Sequence, residues 1–406
     1  MDIFDCIIIG AGPAGIFAAI NISLKGHKVL ILEKKSSPGR KFLISGSGQC
    51  NITNSYREVD FYLNYFEKKN FTKKIINRFS PDDLLKFFKK RGIDFITKEN
   101  GKVFPASNRA SDLLDVMIKE LKQLDITVIY DNKVESIKEK DNIFNIVANK
   151  NYLSRSVLIA TGGKSYPLTG SEGNVESICK NLDVRLNNMI PALTPLYLNN
   201  NPFRALSGIS TFVKITVKNN KKEKYSFSGD LLFTHKGISG PVILRLSRYI
   251  NERSELIISF SKLDQQEFEE RFLKWTDKNG NRPILKLDIL SHLPARLVET
   301  LLNMSEITKD TKASQVNKRQ RKKLIDNICN HNIKGFKKAG FEVAMITRGG
   351  VPTEELFTKS LMHKRHKGLF FTGEVIDVDA DTGGYNLQFA FSSAYVAANG
   401  VCDYLD

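Results

Sequence analysis

Residues 5–33 read DCIIIGAGPAGIFAAINISLKGHKVLILE, and the fold follows from this stretch. Cys6 to Ile9 is an apolar, β-branched run, short enough for a buried strand of a parallel sheet. Gly10, Gly12 and Gly15 follow at G-x-G-x-x-G spacing, with Pro13 and Ala14 between the last two. Ile16 to Leu24 then has apolar residues at helical period, and Lys28 to Leu32 is a second buried strand. Glu33 ends that strand 18 positions past Gly15. Strand, glycines, helix and acid in this order predict a dinucleotide site. Gly10 allows the tight turn, Gly12 lets backbone approach a pyrophosphate, and Gly15 lets helix pack on strand. The helix aims its free N–H groups and positive dipole end at the phosphates. Glu33 can accept bonds from ribose hydroxyls. At this point NAD and FAD both remain open.

Outward from this unit, 406 residues suggest two to three domains, and 41% hydrophobic content is enough for buried cores. No apolar run approaches the ~20 residues that span a bilayer. No basic leader precedes the first apolar segment, where Asp2 and Asp5 flank a strand. Cys6, Cys50, Cys179, Cys329 and Cys402 form no C-x-x-C pair, so neither a metal site nor a disulfide framework is indicated. The chain reads as cytosolic and reduced. Its net charge of +17 is spread as lysine over the whole length, and its densest run is Lys318 to Lys323, KRQRKK. Without interleaved aromatics that run reads as an exposed helix face rather than a nucleic-acid patch.

The next informative stretch is Pro38 to Asn54, PGRKFLISGSGQCNITN. Arg40 and Lys41 follow the ribose-binding strand, and with Lys34 they can meet a pyrophosphate or adenosine edge. Ser45 to Gly48 form a loop rich in backbone donors. Gln49, Cys50, Asn51, Thr53 and Asn54 supply neutral hydrogen-bonding groups that suit a flavin ring. From Tyr56 to Leu121 the periods are helical over 61–66, 71–79 and 81–91, with Ser80 as N-cap before Pro81. A hairpin is expected over 93–104, a helix over 110–124, and strands at 126–130, 134–138 and 144–147. A third landmark is SVLIATGGKSY, Ser156 to Tyr166, where Val157 to Ala160 is a buried strand running into Thr161, Gly162 and Gly163. From Pro191 the pattern changes to strands at 193–198, 212–217, 223–227 and 256–260, with a Gly-rich turn over 233–241 and a helix over 242–250. Helices are expected at 265–275, 295–303 and 314–330. The predicted organisation is a discontinuous Rossmann-like α/β domain, 1–190 with 341–406, an inserted β-rich, barrel-like domain over 191–264 and a helical section over 265–340.

The last landmark is GLFFTGEVIDVDADTGGYNLQFAFSSAYVAA, Gly368 to Ala398. Leu369 to Thr372 is a buried strand, and Gly373 and Glu374 follow at its C-terminal edge, where ligands bind in open α/β sheets. Gly383 and Gly384 precede Tyr385, Asn386 and a helix from Leu387, whose N-terminus can stabilise negative charge at the N1–C2=O edge of a flavin. Both chain ends therefore converge on one cofactor, which favours FAD over NAD.

The motifs IIIGAGPAG, GRKFLISGSGQCNITN, GKVFPAS, ATGGKSYPLTG, LLFTHKGISGP and TGEVIDVDADTGGYN resemble the bacterial family of aminoacetone-oxidase-like, or NAD(P)/FAD-dependent, oxidoreductases. The resemblance runs from Ile7 to Asn386. It implies a discontinuous FAD domain, an inserted β-barrel, tightly held FAD and redox chemistry on a small organic substrate. Two places depart from the family's pattern. Residues 170–174, GSEGN, stand where the family has a threonine and an aspartate, and Gln49 replaces an arginine. The expected cofactor set is Gly10, Gly12, Pro13, Ala14, Gly15, Glu33, Lys34, Arg40, Lys41, Ser45, Gly46, Cys50, Asn51, Val134, Ala160, Thr161, Gly162, Gly163, Tyr166, Gly373, Glu374, Asp377, Gly383, Gly384, Tyr385, Asn386 and Leu387. Within it Glu33 holds ribose, Glu374 the ribityl chain and Val134 the adenine. Cys50, Tyr166 and His235 are the catalytic candidates, with Asn51 and Tyr385 also on the substrate side, and His235 could act as acid or base near neutral pH. Hydride passes at flavin N5. With no second G-x-G-x-x-G, NAD(P)H is expected only as a transient reductant. The alternatives are an FAD-dependent tRNA-modifying protein, which would explain the charge, and a non-catalytic flavin-binding scaffold.

Overall fold

The computed structural model describes residues 3–55, 58–219, 223–251 and 253–406. Tyr56, where the expected helical stretch opens, and Asp2 lie outside the described residues. The chain divides into two compact units, 1–191 with 341–406, and 192–340. Among the described residues no helix is long and apolar enough to cross a membrane.

The first unit is built on a mostly parallel sheet. Strand Ile3–Ile9 lies between Val29–Leu32 and Asn151–Ile159, with Ile7 opposite Leu30 on one side and Val157 on the other. Thr127–Ile129 extends the sheet beyond Val29–Leu32, and Leu369–Phe371 pairs parallel with Asn151–Ile159. An antiparallel hairpin, Ser136–Lys140 and Ile143–Val147, completes it. Val134 precedes that hairpin rather than belonging to it. Cys6, Ile7 and Ile8 are fully buried, as a strand covered on both faces requires. The expected hairpin at 93–104 forms as Phe95–Thr97 with Lys102–Pro105, joined by Thr53–Asn54 as a third strand.

Helix Pro13–Ser23 packs on the C-terminal helix Tyr385–Leu405, which is longer than its sequence pattern indicates. Phe17 anchors the contact, its ring 4.9 Å from Phe87, 5.1 Å from Phe79 and 5.3 Å from Phe391. Such offset and edge contacts contribute beyond the area they bury. Helix Pro81–Lys89 starts as expected at Ser80, with Asp83 closing a reciprocal capping box.

The second unit carries a seven-stranded sheet in the order His331–Ile333, Ser254–Ser259, Ser210–Asn219, Glu223–Thr234, Gly237–Ser239, Leu196–Leu198, Phe336–Lys338. Three expectations are corrected here. The Gly-rich turn expected over 233–241 is confined to His235–Lys236, between the end of strand Glu223–Thr234 and the returning strand Gly237–Ser239. Section 265–340 is not purely helical, since His331–Ile333 and Phe336–Lys338 rejoin the sheet at its two ends. The helix expected over 314–330 spans Lys318–Cys329, because Asn317 caps its N-terminus.

Each unit buries a histidine. His363 is fully enclosed against His366, with ring centroids 5.0 Å apart, and His331 is 7% exposed beside Phe203. Burial pushes both imidazoles down to about 4. The unfolded chain takes up protons below its ordinary histidine range that the folded chain refuses. Stability is therefore full above about pH 6.5 and is lost as pH falls towards 4, by up to about 3 kcal/mol per histidine. The melting temperature should drop between about pH 7 and about pH 4.5, and less in His363→Asn. A profile of identical slope in that variant would remove His363 from the account.

Candidate functional site

Residues 10–15 can be tested position by position. A Cβ at Gly15 would stand 2.0 Å from the Gly10 carbonyl oxygen, and one at Gly10 would stand 2.7 Å from that of Ala160. These two glycines serve the chain's own packing. A Cβ at Gly12 would meet nothing within 4 Å. Gly12 is the N-cap of helix Pro13–Ser23 and no side chain caps it, so the first-turn N–H groups keep their capacity to donate. The space in front of Gly12 and the unfilled amides fit a pyrophosphate.

Glu33 is pinned at both oxygens: Oε2 accepts from the Ala11 amide at 2.7 Å and Oε1 from the Lys35 amide at 2.9 Å. A carboxylate oxygen can accept further bonds, so ribose hydroxyls can still be taken. The Asn132 amide donates to the Glu33 carbonyl at 2.9 Å, which runs 131–134 along the same strand end and leaves Val134 buried beside it.

The departure at 170–174 has a physical partner. Lys34 Nζ reaches Glu172 Oε2 at 3.0 Å and Asn174 Oδ1 at 2.6 Å, and Lys35 Nζ reaches Glu172 Oε1 at 3.3 Å. The hydrogen bond from Lys34 holds the Glu172 carboxyl below its ordinary range. Lys34, expected on the cofactor, is thus engaged in holding the 170–174 segment. Gly170 has φ +112, and a Cβ there would press on Lys35.

At the edge of Leu369–Phe371, Glu374 gathers three elements. Its Oε1 accepts from the Thr347 amide at 2.8 Å and the Ser165 hydroxyl at 3.1 Å, and its Oε2 lies 2.6 Å from Lys41 Nζ. Thr347 Oγ1 in turn accepts from the Lys164 and Ser165 amides. Lys41 therefore neutralises Glu374. Arg40 is exposed.

Ser45 and Gly46 lead into Cys50, whose φ of 56 lies in the left-handed region. The Cys50 thiol is fully buried, and burial pushes it up to about 12. It stays protonated, without nucleophilic character. Beside it Asn51 Oδ1 is buried without a hydrogen-bond partner, as is Thr161 Oγ1 at the end of Asn151–Ile159. An orphaned acceptor beside the flavin-suited segment and an orphaned hydroxyl at the strand edge fit a polar, neutral ring system. Gly162 and Gly163 follow, and a Cβ at Gly163 would stand 2.3 Å from Thr347 Oγ1. Tyr166 is half-buried with φ 54, and burial raises its hydroxyl above the ordinary range. That hydroxyl has no hydrogen-bond partner among the described residues.

Several C-terminal expectations change role. Tyr385, placed on the substrate side, is 2% exposed and packs 5.0 Å from Phe61 and 6.1 Å from Tyr65, whose hydroxyl donates to the Tyr385 carbonyl. Asn386 brackets residue 380, bonding its amide at 2.9 Å and its carbonyl at 3.0 Å. Asp377 accepts from the Gly349 amide and the Asn187 side chain. These three side chains shape the backbone. A Cβ at Gly384 would stand 2.4 Å from the Thr53 carbonyl oxygen, and Asn54 donates to Gly383, so the turn closes on strand Thr53–Asn54. Ala160 and Gly373 are buried, and Leu387 is half-buried in the first helical turn. His235 belongs to the second unit and is exposed on its hairpin turn. Thr347 and Ser165 escape sequence reasoning; the only signal was the glycine pair after Thr347 in ITRGG.

Comparison with known proteins follows from this geometry. A family model described as HI0933-like protein Rossmann domain matches residues 4–400. The chain is 32% identical over 402 residues to the ribosomal RNA dihydrouridine synthase of Escherichia coli, covering 98% of both chains. It is 28% identical over 407 residues to the 3-dehydro-bile acid delta(4,6)-reductase of Clostridium scindens, again 98% of both. Its fold is like that of a flavocytochrome c3 fumarate reductase, with a TM-score of 0.53 at 14% identity over 100% of this chain and 79% of that one.

Proposed function

This chain belongs to the HI0933-like Rossmann family and is an FAD-dependent oxidoreductase, and we propose that it reduces a carbon–carbon double bond conjugated to a carbonyl, the uracil ring of an RNA uridine being its substrate. The observation that carries this reading is the likeness through 98% of both chains to a dihydrouridine synthase. Dihydrouridine is uridine with two hydrogens added across one such bond. The net charge of +17 suits a polyanionic substrate.

The reaction adds a hydride at one carbon and a proton at its neighbour. Bound FAD supplies the hydride from N5. Gly12 and the helix behind it would receive the pyrophosphate, Glu33 the ribose, and the N-terminus of Tyr385–Leu405 would offset charge at the pyrimidine edge. Tyr166 supplies the proton. It combines partial solvent access with a hydroxyl left unpaired by the described protein, whereas the Cys50 thiol is sealed.

The FAD-loaded protein should bleach when mixed anaerobically with NADPH or NADH. Ribosomal RNA from cells lacking the gene, treated with the reduced protein, should yield a nucleoside two hydrogens heavier than uridine. Reduction of a steroid enone with RNA left unchanged would replace this reading with a small-molecule one, which the Clostridium scindens relative favours. Tyr166→Phe should keep its flavin and its bleaching by NAD(P)H but lower product formation by about a hundredfold. Unchanged product formation would remove Tyr166 as the acid.

A further inference from the structure

Residues 192–340 hold 27 basic and 14 acidic residues, so this unit carries thirteen of the chain's seventeen net positive charges. The remainder of the chain is close to balanced. In the densest basic run three of the five cations are paired, while Lys318 and Lys322 are exposed. On helix Lys318–Cys329, Arg319 and Lys323 both pair with Glu306, and Arg321 pairs with Glu269.

A surface depression of 560 Å³ in the same unit is lined by Tyr197, Asn199–Asn201, Arg204, His235, Lys236 and Lys337 among others, none of them acidic. Arg204, Lys236 and Lys337 are exposed, and among the described residues none has a carboxylate within ion-pair distance. The strands set the geometry. Tyr197 stands opposite Lys337 in the pairing of Leu196–Leu198 with Phe336–Lys338. Lys236, on the hairpin turn, places its ammonium 5.4 Å from the centroid of the Tyr197 ring. Asn199 and Asn200 expose their amides on the following turn. An aromatic platform between cations, with neutral amides beside it, holds the group types that bind an unpaired nucleic-acid strand: a ring for a base, ammonium and guanidinium for phosphates, amides for base edges.

We infer that this depression is an RNA-binding surface, which takes an unpaired strand by stacking a base on Tyr197 and neutralising its phosphates with Arg204, Lys236 and Lys337. The inference deepens the reading of RNA as substrate and rests on it.

The test uses the full-length, FAD-loaded protein and a fluorescent single-stranded oligouridylate of roughly 12 nucleotides, titrated by anisotropy across a salt series. Wild-type binding should weaken steeply with salt. Replacing both lysines, Lys236→Glu with Lys337→Glu, should weaken binding more than about tenfold and lower the salt slope by about 2. Tyr197→Ala should weaken binding about tenfold without changing that slope, and Tyr197→Phe should restore it. Flavin content and melting temperature check that each variant is folded. A control with equal charge change on the exposed helix face, Lys318→Glu with Lys322→Glu, should cost much less.

Wild-type affinity in the depression variants, or an equal loss in the helix control, would overturn the assignment. Dihydrouridine formed by a protein that does not bind the probe at about 50 mM salt would overturn it while leaving the proposed reaction standing. Probe bound through Tyr197 and the lysines, with no dihydrouridine formed, would uphold the surface and refute the reaction.

Discussion

Gly12→Val should give folded protein that carries no flavin. The structure separates this position from its neighbours in the same motif. A Cβ at Gly12 meets no protein atom within 4 Å, so valine is accommodated by the chain itself. What it displaces is the pyrophosphate, whose phosphates must come within hydrogen-bond distance of the helix amides. Bound flavin after gel filtration should fall below about a tenth of wild type, with the melting temperature of the stripped proteins agreeing within about 2 °C. Gly15→Val should behave oppositely. There the side chain would collide with the Gly10 carbonyl at 2.0 Å, so helix and strand must separate and the protein should be recovered poorly or unfolded. Yellow Gly12→Val protein would show that the loop does not hold the cofactor.

Glu374→Ala is the second large effect. It leaves the Thr347 amide and the Ser165 hydroxyl without their acceptor, and the Lys41 ammonium without its carboxylate and with only the Ser165 hydroxyl to donate to. Both charged side chains are about a quarter exposed, 26% for Lys41 and 22% for Glu374, so water softens the loss. About 2–3 kcal/mol is expected rather than the larger cost of a sealed pair. Flavin should be lost as well. The double replacement Lys41→Met with Glu374→Leu distinguishes the two roles. Removing both charges should restore most of the stability, while flavin stays absent if Glu374 meets the ribityl chain. Flavin returning with stability would make Glu374 a scaffold residue only.

The glycine-rich turn at residues 10–15 was legible because backbone demands leave few choices of residue: only glycine survives where a Cβ would strike a carbonyl at 2.0 Å. The discontinuous α/β sheet was legible for a similar reason, since each of its central strands contains a short apolar run: Cys6–Ile9, Val29–Leu32, Val157–Ile159 and Leu369–Phe371. Side-chain roles at the C-terminal landmark were harder to read. Tyr385 and Asn386 have the polarity of ligand-binding groups, yet Tyr385 is enclosed by Phe61 and Tyr65, and Asn386 spends its amide on residue 380. Those outcomes depend on residues more than 300 positions away in the first case and on a local turn in the second. Glu172 looked like a departure from a family pattern, and its meaning lies in Lys34, 138 positions earlier. The strands His331–Ile333 and Phe336–Lys338 have three residues each, too few to show a period after a long helix. The pairing of Arg319 and Lys323 with Glu306 and of Arg321 with Glu269 was equally invisible, since the partners lie 13 to 52 positions away.

The Phe17 contacts impose an order of events during synthesis. Residues 192–340 are continuous, so that unit has all its strands and helices available while later codons are still being read. The first unit does not. Its strand Leu369–Phe371 and the helix that covers Phe17 emerge only after the whole insert. Until then the nascent N-terminal segment holds Phe17 without its Phe391 cover, and that face of helix Pro13–Ser23 stays open to water while the insert is made.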